Sequence, residues 1–165
     1  MTPERSVVLS LVAERLAANR PGHPLRVGID GVCGSGKTTF SLDLTKFVAA
    51  TGRTAVLVDS DGFHHVRARR YRQGRESAEG YYDDAYDFDS LTDRVLLPLG
   101  PDGTGDYAIR VHDLASDATI DDETAQAPPD TIVLFAATFI QRDQLRDLWD
   151  EVIYVDVQEE VAIAR

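Results

Sequence analysis

The sequence predicts an α/β fold in three layers, a parallel, doubly wound sheet of about four core strands with helices on both faces. Three observations carry that prediction. Four short apolar runs, residues 25–30 (LRVGID), 54–58 (TAVLV), 132–136 (IVLFA) and 152–155 (VIYV), read as buried strands. Segments of helical periodicity lie between them, and strands alternating with helices imply parallel pairing. The first run passes directly into a glycine-rich loop, GVCGSGKT, that opens a helix.

Taken in order, the chain starts with Val8, Leu11, Val12 and Leu16 at helical spacing over residues 7–18, and Pro21 and Pro24 stop the run. A packing helix is therefore expected within residues 1–20. The strand at 25–30 and its loop lead into an apolar periodic stretch, residues 39–50, closed by Gly52. Between the second and third strands lies a long acidic insertion, residues 59–130, with a helix expected over residues 90–97 and a hairpin around residues 107–120. A connection of this length between core strands is more often a ligand-handling segment than an idle loop. At 165 residues the chain fills one core and is too short for two ordinary domains, so a single domain over residues 1–165 is expected.

Composition narrows the function classes. The chain is 43% hydrophobic and 27% charged, and none of its apolar runs approaches the roughly 20 residues of a membrane span. No membrane partner is expected. The N-terminus lacks the apolar stretch and cleavage site of a signal peptide, and the single cysteine, Cys33, cannot form an internal disulfide. A cytoplasmic setting agrees with both. A formal net charge of -11 repels nucleic acid, and the basic run Arg67, Arg69, Arg70, Arg72 and Arg75 reads as a solvated face. No nucleic-acid partner is expected, whereas a local loop can still hold a small phosphorylated ligand. Self-association into a homo-oligomer stays open.

Gly31, Gly36, Lys37 and Thr38 satisfy GxxxxGK[ST], a pattern that chance produces in roughly one chain in two hundred of this length. The strand before it and the helix after it supply the context the motif requires. Glycines at 31, 34 and 36 let successive backbone N–H groups converge on phosphate oxygens, with Ser35 and Thr39 completing the loop. The helix start adds its positive dipole end. Lys37 is expected on the β and γ phosphates, and the Thr38 hydroxyl on magnesium. Cys33 occupies a variable position. The ligands implied are ATP or GTP with Mg2+, and the fold implied is that of P-loop NTPases, with core strands in the order 2-3-1-4.

In such sheets ligands bind beyond the carboxyl ends of the strands. The second strand ends there in Asp59, Ser60, Asp61, Gly62, Phe63 and His64. A carboxylate in that place could accept a proton from an attacking hydroxyl or ligate magnesium through water, or Ser60 or Asp61 could simply cap a short helix. Together, IDGVCGSGKTTF, VDSDGFH and YYDDAYDFDSL resemble the uridine kinase and phosphoribulokinase group of P-loop kinases, from about residue 25 to the last residue. By that resemblance Asp61 is the base on the substrate hydroxyl and His64 lies beside the substrate. Asp84 binds ribose hydroxyls, and His112 and Asp113, in RVHDL, line the base pocket.

The chain departs from that pattern in three places. After the third strand the family usually has an acidic residue, whereas here Phe135 is followed by Ala136, Ala137 and Thr138, so Asp59 or Asp61 would serve magnesium instead. The family's base-reading histidine would fall near Asp117. An arginine-bearing lid and a last strand are expected beyond a helix that starts as the chain ends at Arg165, so the lid is expected to be absent from this chain. The resemblance implies ATP-dependent phosphoryl transfer to a hydroxyl of a nucleoside, uridine-like, or of a similar small molecule. The alternative is a nucleotide-binding module with little or no catalysis. An NTP-hydrolysing switch fits less well, for want of a water-positioning glutamine.

Overall fold

The computed structural model describes residues 2–158, 160 and 162. Helix α1 (Pro3–Ala18) starts where the Thr2 hydroxyl accepts the Arg5 backbone N–H at 3.3 Å and Pro3 sits in the first turn, four residues before its first apolar position. Its buried stripe is Leu9, Ala13 and Leu16, while Val8 and Leu11, expected in the core, face solvent. The helix is apolar over a broad arc, and the contact with the next helix selects the stripe that continues Arg5, whose guanidinium meets Asp43 at 3.3 Å.

Strand β1 (Leu25–Asp30) is buried throughout, and helix α2 (Lys37–Ala50) follows it. Strand β2 (Ala55–Val58) leads into a 3-10 turn, Ser60–Phe63. Three short helices come next: α3 (Arg67–Arg70), α4 (Ala78–Asp84) and α5 (Phe88–Leu91). The last runs into a π-helical turn, Thr92–Leu96, so the helix expected over residues 90–97 begins two residues early, where Asp87 accepts the Ser90 N–H. The expected hairpin is one long antiparallel arm. Strand β3 (Asp106–Ala108) pairs with β6 (Thr124–Gln126), and between them β4 (His112–Asp113) pairs with β5 (Ala118–Thr119). Strands β7 (Ile132–Ala136) and β8 (Glu151–Tyr154) complete the core. The helix expected at the chain end falls largely outside the described residues.

All four core strands are parallel and lie in the order β2-β7-β1-β8, which is the expected 2-3-1-4. The period of two along each strand divides the core between the faces. Leu25, Val27 and Ile29 join Ile132 and Leu134 under α1 and α2. Val133 and Phe135 face the other way and pack with Phe63, Phe88, Leu91 and Trp149 from the later segments. The polar members of β1 on that second face are matched rather than excluded. Arg26 forks onto Asp150 at 2.9 and 3.0 Å, and Gly28 leaves room for Trp149, whose ring would lie 3.0 Å from any Cβ there. No helix among the described residues is long and apolar enough to cross a membrane.

Candidate active site

The loop between β1 and α2 is held in shape by its own groups. Gly31 has φ 151° and Gly36, which caps α2, has φ 90°, conformations that side chains rarely adopt. A Cβ on Gly31 would also lie 2.7 Å from the Val155 carbonyl oxygen. Lys37 Nζ donates to the Gly31 and Val32 carbonyls at 2.7 and 3.0 Å, arching over the loop. Burial lowers the Lys37 pKa, and the Cys33 and Asp30 side chains oppose the shift. Ser35 Oγ is buried without a hydrogen-bond partner, and a loop of N–H groups with a spare buried hydroxyl suits phosphate oxygens. Gly34, Thr38 and Thr39 are exposed along the same turn.

Beneath the loop lies a carboxylate absent from the expected site. Asp30 is buried at the end of β1, where Oδ1 accepts the Gly31 N–H at 2.8 Å and Oδ2 accepts from Gln141 Nε2 at 3.0 Å. An apolar strand ending in aspartate just before the first loop glycine is the signal that marks it. Tyr81 is a second such residue. Its hydroxyl stands 3.3 Å from Cys33 Sγ and 3.3 Å from Thr138 Oγ1, so α4 touches both the phosphate loop and the segment after β7. Nothing in the sequence pattern distinguishes it from Tyr82.

Across the sheet end, Asp59 caps the 3-10 turn by accepting the Asp61 N–H at 3.0 Å. The capping role left open for Ser60 or Asp61 thus belongs to Asp59. Asp59 and Thr38 share the wall of a cavity of about 260 Å3 that also contains Ala136. A carboxylate and a hydroxyl lining one space could hold magnesium if water completed its shell. Asp61 is exposed, with its carboxylate 4.0 Å from His64 Nδ1. The two aspartates also line a groove of about 530 Å3 whose far wall holds Tyr107, Arg110, His112 and Asp113.

The remaining substrate-side candidates are engaged with protein partners. His112 is buried, and its Nε2 lies 3.1 Å from Asp117 Oδ1, which also accepts the Arg67 N–H at 2.8 Å. The Arg67 amide and then His112 hold the Asp117 carboxyl below its ordinary range. Asp113 accepts the Ala115 and Ser116 N–H groups and lies 3.2 Å from Arg110, which forks onto Glu123 at 2.8 Å. Asp84 is wholly buried. Its Oδ2 accepts from Arg72 Nε and Gln73 Nε2, each at 2.8 Å, and Oδ1 has no hydrogen-bond partner. Gln73 and then Arg72 lower its pKa. The basic run is exposed at Arg67, Arg69, Arg72 and Arg75, as a solvated face would be, while Arg70 turns inward to within 3.7 Å of Asp117 and Arg72 reaches the buried Asp84 from the surface.

A parallel sheet of order β2-β7-β1-β8, with a glycine loop between its third-placed strand and the next helix, defines a protein of the P-loop NTPase class. The chain belongs to the phosphoribulokinase and uridine kinase family: residues 26–165 match the family model described as Phosphoribulokinase / Uridine kinase family. A uridine kinase of Leuconostoc citreum (strain KM20) is 23% identical over 142 residues, covering 86% of this chain and 66% of the relative. A solved structure described as a possible uridine kinase from Bacillus stearothermophilus is similar with a TM-score of 0.79 at 24% identity, over 98% of this chain and 87% of that one, and it supports the fold. Another, provisionally assigned as a fructose transport system kinase from Silicibacter sp. TM1040, gives a TM-score of 0.74 at 25% identity, over 99% and 79%. The chain spans about two thirds of the length of the curated relatives it matches.

Proposed function

We propose that the protein transfers the γ-phosphoryl group of ATP, with GTP as the other candidate donor, to a hydroxyl of a small molecule. The observation that carries this reading is the end of β2, where Asp59 shares a cavity with Thr38 while Asp61 stands exposed beside it. The donor is cradled by the N–H groups of residues 31–38, and Lys37 exchanges the Gly31 and Val32 carbonyls for phosphate oxygens. Thr38 and Asp59 are the residues that would hold magnesium, which when bound would neutralise charge on the phosphates. Asp61 accepts the proton of the attacking hydroxyl as its oxygen bonds to phosphorus and the bond to the leaving diphosphate breaks.

His64, Asp84, His112 and Asp113 are the acceptor-side groups that the family resemblance proposes. The relatives named uridine kinase support a nucleoside acceptor. A second reading, a nucleotide-binding module without efficient transfer, draws on Ala136, which places a methyl group rather than a carboxylate in the Thr38 and Asp59 cavity. One assay separates the two. ADP formation is followed with a panel of nucleosides and other hydroxyl compounds, alongside nucleotide binding. Acceptor-dependent turnover is expected; binding with no turnover for any acceptor would favour the module, and turnover indifferent to acceptor would overturn both.

A further inference from the structure

Tyr81 has no task in the reading above, although α4 carries its hydroxyl to the phosphate loop. The oxygen stands 3.3 Å from Cys33 Sγ and 3.3 Å from Thr138 Oγ1, in the segment after β7. Neither neighbour satisfies it. Sulfur is a weak acceptor, and hydroxyl pairs that share a proton fully close to ~2.7–2.8 Å. Burial, and then the Cys33 contact, raises the Tyr81 pKa, so the phenol keeps its proton at neutral pH. That proton is not committed to a strong acceptor.

The ring is held in place at a cost in backbone strain. Phe139 packs edge-on against it, with ring centres 5.5 Å apart, and against Tyr82 at 4.9 Å. Phe139 has a left-handed backbone, φ 66°, which a residue with a bulky side chain adopts only when its surroundings impose it. Arg142 pins the same turn of α4, with Cζ 3.7 Å from the Tyr82 ring centre and a guanidinium nitrogen 3.5 Å from Asp83.

Cys33 gives the hydroxyl its setting. Its side chain is close enough to Lys37 to act on that residue's charge, and Lys37 is the cation the loop offers to the β and γ phosphates. Tyr81 therefore stands beside the part of the loop that meets the outer phosphates. A phosphate oxygen is charged, and a hydrogen bond to a charged acceptor is roughly twice as strong as one between neutral groups. It is the kind of acceptor the phenol lacks.

We infer that Tyr81 is a further nucleotide-binding residue, whose hydroxyl gives a hydrogen bond to the terminal phosphoryl group of the bound triphosphate and so helps the site distinguish triphosphate from diphosphate. This deepens the phosphotransfer reading and rests on it for a triphosphate at residues 31–38, though not for its transfer.

The test compares two nucleotides. Calorimetric titrations of the full chain with Mg-ADP and with the magnesium complex of the β,γ-imido analogue of ATP need no turnover. Tyr81→Phe keeps the ring against Phe139 and removes only the hydroxyl. The variant is expected to bind the imido analogue about five- to tenfold more weakly and Mg-ADP as the parent does, which also reports that it has folded. Tyr82→Phe, the next position on the helix, is expected to change neither affinity. Equal weakening of both nucleotides in Tyr81→Phe, no change in either, or the same loss in Tyr82→Phe would overturn the inference. Parallel ADP assays keep the two readings apart. A selective loss of the imido analogue with no acceptor-dependent turnover in the parent leaves Tyr81 assigned and removes the kinase. Turnover on an acceptor, with the analogue's affinity intact in Tyr81→Phe, does the reverse.

Discussion

The phosphate loop and the acceptor side are built by different means. From β1 to α2, geometry is set by backbone: glycines in left-handed conformations, carbonyls that hold Lys37, and a helix start that follows a fully buried strand. From residue 59 to residue 126, elements are two to seven residues long and are joined by side-chain pairs, Asp84 with Arg72 and Gln73, Asp117 with His112, and Arg110 with Glu123. A backbone-built site is set by local sequence and exists before its ligand arrives. A side-chain-built site depends on charges that meet only after folding, and it can be retuned by single substitutions.

If the division holds, Asp61→Asn should leave nucleotide affinity unchanged and lower kcat by about 10²- to 10⁴-fold, the usual worth of a general base. Single-turnover assays beside a nucleotide titration check this, and equal turnover in the variant would remove the base assignment. Leu134→Ala, in the fully buried core beneath the loop, should cost about 2–5 kcal/mol in denaturant unfolding. The corresponding test on the acceptor side is Asp84→Ala, which removes a buried acceptor of hydrogen bonds from Arg72 and Gln73, both of which water can still reach; about 1–3 kcal/mol is expected, with nucleotide affinity spared. A loss of nucleotide binding in that variant would dissolve the contrast between the regions.

Acid should also find the acceptor side first. Burial lowers the pKa of both His64 and His65, so the unfolded chain binds more protons than the folded one once the pH drops below the ordinary histidine value of about 6.5. Stability therefore falls as pH falls from there, by up to about 1.4 kcal/mol per pH unit for each histidine. Urea titrations between pH 7 and pH 5 should show that slope, and His64→Phe should flatten part of it while keeping the ring against Tyr86. The smallest effect is expected at Arg15→Ala, which loses a surface contact with Glu151 at 3.1 Å, for about 0–1 kcal/mol.

The same division explains what could be read in advance. β1 and β7 stand out because burial on both faces demands unbroken apolar runs; the edge strands β2 and β8 are apolar too but only partly buried, β8 exposing Val152 and Tyr154, and all four match the sequence reading to within a residue or so. The phosphate loop stands out because few residue types can make that turn. The stripe of α1 was misplaced because Val8 and Leu11 are as apolar as Leu9, and only the partner helix decides between them. Short strands such as β4 and β5 leave no periodicity to count. The partners of Asp84 and Asp117 lie among many charges of both signs, and sequence spacing does not rank such pairs. Asp30 was visible as a residue but not as a member of the site, since its meaning comes from Gln141, brought to it from 111 positions away.

Cys33 is the chain's single cysteine and stands exposed in the phosphate loop. A thiol-reactive fluorophore would therefore attach at one defined point, with the Tyr81 ring at hand to quench it. The molecule thus carries a natural handle for stopped-flow spectroscopy, through which the arrival and departure of nucleotide could be timed without introducing any new residue.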